Sequence, residues 1–144
     1  MLKVLMATDG SLHAERALAH LIGLIQQDGL FSGDTEVHLL NVQPRLPSRI
    51  NQHMGEQELS DFYAVHSASA CRSAVEALQR AGIAFTLHTR VGGPGVNIVA
   101  CANELQCQSI VMGTHGAGLA LGELLGSVAS EVIKLTSVPV TLVK

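Results

Sequence analysis

The most informative segment of the chain is Ser109-Ile110-Val111-Met112-Gly113-Thr114-His115-Gly116, which is followed after nine residues by Gly126-Ser127. Its apolar first half is typical of a strand that is buried on both faces. Glycine lets a backbone approach a ligand closely, and the first turn of a helix leaves N–H donors unpaired. A strand, a glycine-rich loop and a helix in this order predict a site for an anion, in particular the phosphates of a nucleotide.

The rest of the chain alternates strand-like and helix-like segments. Strands are predicted at residues 3–8, 36–42, 83–91, 110–112 and 138–143, and four helices are predicted between them. The first helix shows its apolar face at Ala14, Ala17, Leu18 and Leu21. Strands that alternate with helices pair in parallel through right-handed crossovers. The pattern therefore predicts a doubly wound α/β fold with a five-stranded parallel sheet, without fixing the strand order.

The length and the composition of the chain narrow the class of protein. The 144 residues suit one domain, residues 1–144, that can bury a sizeable core. Hydrophobic residues make up 47% of the chain, yet no run approaches the roughly 20 apolar residues of a membrane helix. The apolar N-terminus is too short for a secretion signal. The net charge of −3 and the scattered cations argue against a nucleic-acid surface. We therefore expect a cytoplasmic protein with no nucleic-acid or membrane partner.

The three cysteines, Cys71, Cys101 and Cys107, fit neither a disulfide framework nor a zinc site with a C-x-x-C pair. Cys101 and Cys107 are six positions apart on a predicted helix, which would place them on different faces. We interpret all three as small buried residues and expect no metal site.

The motifs resemble the universal stress protein family, specifically its ATP-binding branch, over essentially the whole chain. The resemblance begins at Thr8-Asp9-Gly10-Ser11, includes Val42 and Gly92, and closes with Val138-Pro139-Val140. The family's nucleotide signature is G-x-x-G, nine residues, then G and S or T. This signature is filled without a gap by Gly113, Gly116, Gly126 and Ser127.

The resemblance implies the strand order 3-2-1-4-5, with ATP, alone or with Mg²⁺, in the cleft between strands 1 and 4. Within the Gly113–Ser127 loop and the helix after it, the phosphates would be bound by the Ser127 hydroxyl and by the backbone N–H groups of Gly116, Gly126, Ser127 and Val128. Gly113 would lie against the ribose. Val42 would contact the adenine, whose pocket Ala7, Thr8 and Asp9 would line. The implied site residues are Ala7, Thr8, Asp9, Val42, Met112, Gly113, His115, Gly116, Gly126, Ser127, Val128 and Ala129.

Three of these residues carry a second interpretation. Ser127 could donate to a phosphate or serve as a helix N-cap. Asp9 could contact the ligand or form an Asx-turn at the start of the first helix. His115 could contact a phosphate when protonated or lie at the rim of the site.

The loop also departs from the family pattern, because Ala117 follows the second glycine where many ATP-binding members carry Arg. No Lys or Arg lies between Gly113 and Ser127, and Glu123 adds a negative charge. Phosphoryl transfer requires cations that neutralise the developing charge. We therefore predict no catalytic residue and, at most, slow hydrolysis of ATP.

The predicted function is that of a nucleotide-dependent regulatory protein of the stress response, with a protein partner that the sequence does not identify. One alternative is an enzyme of the wider nucleotide-binding α/β group, either a slow ATPase or an adenylyl transferase. Another is a dimerisation module whose glycine loop holds no nucleotide. The resemblance also implies a homodimer through the last strand, Val138-Pro139-Val140-Thr141-Leu142-Val143, which is apolar and carries a proline suited to a sheet edge.

Overall fold

The computed structural model describes residues 2–27, 34–116 and 124–144. Its sheet consists of β1 (Leu2–Ala7), β2 (Thr35–Gln43), β3 (Phe85–Val91), β4 (Ser109–Gly113) and β5 (Val140–Val143). All neighbouring strands are parallel, and their order is β3-β2-β1-β4-β5. The predicted α/β fold and the implied strand order are both confirmed.

The described residues form five helices. These are α1 (Leu12–Gln26), α2 (Ser48–Asn51), α3 (Glu56–Arg80), α4 (Pro94–Glu104) and α5 (Ser127–Leu135). Four of them are the predicted crossover helices. The additional helix, α2, is a single turn between β2 and α3, where no helix was predicted, and it begins directly after Pro47. A proline that precedes a helix fixes its own φ without losing a helical hydrogen bond.

The sheet is covered on both faces by separate hydrophobic clusters. Val4 and Met6 of β1 belong to the cluster that includes the buried side chains of α1 and α3. Leu5 and Ala7 belong to the cluster that includes those of α4 and α5. Because successive side chains of a strand point to opposite faces, an uninterrupted apolar strand is what burial on both faces requires.

The three cysteines are buried, as predicted, but the expected separation of Cys101 and Cys107 is wrong. Both belong to the hydrophobic cluster on the α4 and α5 side of the sheet. The reason is that α4 ends at Glu104, and the chain turns back at Gln106, whose φ is 57°. Burial is the main cause that raises the pKa of the Cys107 thiol to about 11, so this thiol stays protonated at neutral pH.

Within the ranges that the structure describes, no helix combines the length and the apolarity needed to cross a membrane. The same ranges contain no group of three or more histidine, cysteine or acidic side chains arranged to hold a metal ion.

Candidate functional site

A cleft of about 540 Å³ opens at the carboxyl ends of β1 and β4. In a doubly wound sheet this is the place where the winding changes direction and ligands bind. All twelve residues implied by the resemblance line this one cleft. Six lining residues were not predicted: Ala14, Leu40, Pro44, Pro94, Ile98 and Thr114. Leu40 could have been predicted, because it is two positions before Val42 and therefore lies on the same face of β2. Ile98 could not, because it belongs to α4, which only the tertiary fold brings to the cleft.

The N-terminus of α5 lies at one end of the cleft. Its N-cap is Gly126, with φ −68° and ψ 164°, and a glycine offers no side chain to cap the helix. The first hydrogen bond of the helix runs from the N–H of Ser130 to the carbonyl of Gly126. Among the described residues, no acceptor faces the N–H groups of Ser127, Val128 and Ala129. Within the described ranges, the cleft therefore ends in three backbone donors that have no acceptor in the protein and that carry partial positive charge.

This geometry excludes one of the two interpretations of Ser127. The residue is the first helical position of α5 and not its N-cap, so the capping interpretation is wrong. Its side chain is exposed, and it lines the cleft beside the helix terminus. The hydroxyl can therefore add one further donor to the three backbone amides.

One implied donor is already used within the protein. The N–H of Gly126 donates to the carbonyl of Thr114 at 2.7 Å, so the expectation that this amide binds phosphate is wrong. The bond exists because the chain returns to the end of β4 before α5 begins. Thr114 is 6% exposed, and its own N–H donates to the carbonyl of Val143 at 2.9 Å. Thr114 thus holds the start of α5 and the end of β5 in place.

Gly113 is required for packing as well as lining the cleft. A Cβ at this position would lie 2.7 Å from the Cβ of His13 and 2.8 Å from its carbonyl carbon. Real Cβ atoms do not approach other atoms so closely, and the contact includes backbone that cannot move aside. The glycine therefore lets the first turn of α1 pack directly on the end of β4.

Asp9 forms the Asx-turn that was one of its two interpretations. Its Oδ1 accepts a hydrogen bond from the N–H of Ser11 at 2.9 Å. The other oxygen, Oδ2, lies 2.7 Å from the place that a Cβ on Gly116 would occupy. The carboxylate therefore orders the start of α1 and also faces the glycine loop, and Gly116 is the residue that makes this approach feasible.

Asn41 is a buried polar residue that the sequence reasoning missed. It is 1% exposed, and its Nδ2 donates to the carbonyl of Thr8 at 2.8 Å. Its Oδ1 accepts from Ser67 at 3.0 Å and from Gln43 at 2.9 Å. This single side chain ties β2 and α3 to the loop after β1. A lone amide within the apolar run of strand 2 was the signal that could have revealed it.

At the other end of the cleft, no described residue forms a hydrogen bond with the backbone of Val42. Thr8 N–H donates to the carbonyl of Leu40, and Gly92 N–H donates to that of Gln43. In a parallel strand, each residue directs its N–H and its C=O to the same neighbouring strand, and this direction alternates along the chain. Leu40 faces β1 and Gln43 faces β3, so the backbone groups of Val42 point toward β1. β1 ends at Ala7, so it offers Val42 no partner strand. The cleft thus presents one N–H and one C=O beside the apolar side chains of Leu40, Ile98 and Met112.

The charge of the described lining is sparse. Asp9 is its one formally charged side chain, and His115 is its one side chain able to become cationic. The Nδ1 of His115 lies 2.9 Å from the hydroxyl of Thr114. The expectations for Ala117 and Glu123 concern positions outside the described residues.

The fold and the cleft define a doubly wound α/β domain with a ligand cleft at the carboxyl edge of its sheet. The chain matches the universal stress protein family over residues 1–144, and it belongs to this family.

Individual relatives agree with this assignment. Universal stress protein MJ0531 of Methanocaldococcus jannaschii is 30% identical over 143 residues, which cover 99% of this chain and 81% of the relative. The solved structure of hypothetical protein MJ0577 is 30% identical, with a TM-score of 0.83 and coverage of 99% of this chain and 95% of its own. A universal stress protein in complex with cAMP is 22% identical, with a TM-score of 0.71 and coverage of 99% and 97%. At that identity the last likeness bears on the fold alone.

Proposed function

We propose that this protein binds ATP in the cleft and acts as a nucleotide-dependent regulatory protein of the stress response. The observation that carries the proposal is the uncapped N-terminus of α5, where Ser127, Val128 and Ala129 offer three unpaired amides to the cleft. Such a terminus favours an anion without any positive side chain. A cleft of about 540 Å³ is also in the range that small-molecule ligands occupy.

The other end of the cleft suits adenine. The free N–H and C=O of Val42 complement the ring acceptor and the exocyclic amine on one edge of that base. Guanine presents the opposite pattern at the same positions, so the two backbone groups favour adenine. The apolar side chains around Val42 would cover the faces of the ring. A universal stress protein that was solved in complex with cAMP has the same fold.

The lining supports binding better than catalysis. Phosphoryl transfer needs cations at the transferring group and a positioned base. Over the part of the cleft that the structure describes, the lining carries no Lys or Arg. We therefore propose that bound ATP is hydrolysed slowly or not at all, with Mg²⁺ as an optional companion. The unidentified protein partner and the cytoplasmic location stay predictions.

A thermal-shift titration with ATP tests the proposed ligand. At an ATP concentration 100-fold above Kd, binding stabilises the folded state by about 2.7 kcal/mol. For a domain of this size, that corresponds to a rise in Tm of roughly 8 °C. GTP at the same concentration should give a clearly smaller shift, because its base does not match Val42. If millimolar ATP did not raise Tm, either with or without Mg²⁺, the result would contradict the proposal. The alternative of a dimerisation module that binds no nucleotide would then describe the protein better.

We also propose that two copies of the chain associate through β5, which lies at the edge of the sheet. Ile110 N–H donates to the carbonyl of Pro139, and Thr114 N–H donates to that of Val143, so residues 139, 141 and 143 face β4. Val140 and Leu142 consequently direct their backbone groups outward, where a second β5 could pair with them. In α5, the helix that precedes β5 in the chain, Ile133 and Leu135 are 45% and 52% exposed.

Light scattering checks this association. At micromolar concentration we expect a mass twice that of the 15.1 kDa chain. Dilution should reveal the monomer only at much lower concentration, since strand pairing and apolar burial act together. A mass equal to one chain throughout the micromolar range would contradict the proposed dimer.

A further inference from the structure

The phosphate end of the cleft combines backbone donors with a single histidine. A Cβ on Gly126 would lie 3.2 Å from the Cα of His115, so the backbone of His115 is in contact with the N-cap of α5. His115 also lines the cleft together with Ser127. The imidazole is therefore carried on backbone that contacts Gly126, the residue directly before the first turn of α5.

Two of the contacts that orient this imidazole come from described residues. The hydroxyl of Thr114, which is itself buried, lies 2.9 Å from Nδ1 of His115. The ring of His13 packs against it from α1, with ring centroids 5.3 Å apart and planes tilted by 52°. Thr114 follows the end of β4, and His13 lies in the first turn of α1. These two segments pack closely at Gly113, which fixes both side chains relative to each other.

We propose that His115 in its imidazolium form is a phosphate-binding residue, which makes nucleotide affinity fall as the pH rises from 6 to 8. The inference rests on the proposed function, because it assumes that phosphates lie at the N-terminus of α5. Imidazole ordinarily titrates near pH 6.5, within this interval. A protonated ring adds a charge-assisted hydrogen bond to an anion, whereas the neutral ring adds only a weaker one.

The sign of the pH effect follows from proton linkage. A phosphate favours the charged form of the ring, so the complex holds its proton to a higher pH than the free protein does. The additional affinity is fully present below the titration of the free ring. It is lost as the pH rises through the titration of the ring in the complex.

Two other titratable groups among the described residues face this site. Asp9, from the loop after β1, lies against Gly116 with a carboxylate that would repel the phosphates. His13, from α1, packs its ring against that of His115. The end of β4 and the first turn of α5 contribute no ionisable side chain.

The test compares wild type with His115→Gln by isothermal titration with Mg·ATP at pH 6, 7 and 8. ATP itself takes up protons in this range. This effect is common to the two proteins, so the ratio of their Kd values isolates His115. The matched control is His20→Gln, because His20 is an exposed histidine on α1, two turns after His13.

We expect the Kd of His115→Gln to exceed that of wild type about tenfold at pH 6 and to approach it at pH 8. His20→Gln should follow wild type at every pH. A constant ratio between pH 6 and 8 would overturn the role of His115 while leaving ATP binding in place. Failure of wild type to bind Mg·ATP at any of the three pH values would overturn the proposed function, and the inference with it.

Discussion

Gly126→Asp is expected to lower ATP affinity at least 100-fold in a protein that still folds. Aspartate is a favourable N-cap, and its carboxylate would accept hydrogen bonds from the N–H groups of Val128 or Ala129. The donors that we assign to the phosphates would then be occupied, and a negative charge would stand in their place. Like charges brought together in a binding site cost several kcal/mol, which exceeds two powers of ten in Kd. Isothermal titration with ATP measures the loss.

Two control variants separate the causes of this loss. Gly126→Ala introduces the same Cβ, 3.2 Å from the Thr114 carbonyl oxygen, without a carboxylate, and should retain most of the affinity. Gly55→Asp places the same side chain at the exposed N-cap of α3, where a Cβ meets nothing within 4 Å. It should bind ATP as wild type does. Unchanged affinity in folded Gly126→Asp would remove the α5 terminus from the site.

Asn41→Leu should destabilise the protein by about 3 kcal/mol, which is on the order of 10 °C in Tm. The substitution keeps approximately the same volume but removes three hydrogen bonds. It leaves the carbonyl of Thr8 and the hydroxyl of Ser67 without their partner in a buried place. An unpaired buried polar group costs about 1–3 kcal/mol. Thermal unfolding followed by circular dichroism measures the change.

Asn103→Leu provides the control for this prediction, because Asn103 lies exposed on α4. A surface substitution of this kind should change stability by less than about 0.5 kcal/mol. The two variants together distinguish the loss of the buried network from the loss of an amide as such. If Asn41→Leu melted within about 2 °C of wild type, the loop after β1 would not depend on Asn41.

Particular residues show how far the sequence could predict the site. The segment from Ser109 to Gly116 predicted a buried strand followed by a loop at the ligand edge, and the structure places both there. Local patterns could not reveal that Gly126 donates to Thr114, because this bond depends on where the chain returns after a loop. For the same reason they missed Thr114 and Ile98, which reach the cleft from separate parts of the chain.

The amino-acid order by itself determined the alternation of strands and helices, the parallel sheet and the glycines that let backbone come close to backbone. These properties follow from residue periodicity and from the φ and Cβ of single residues, which act over a few positions. The tertiary structure alone decided which amides stay unpaired at the cleft, how Asn41 joins three elements, and that Cys101 and Cys107 share one cluster. Hydrogen bonds and burial depend on distances between residues remote in the chain, which only the folded arrangement of the elements sets.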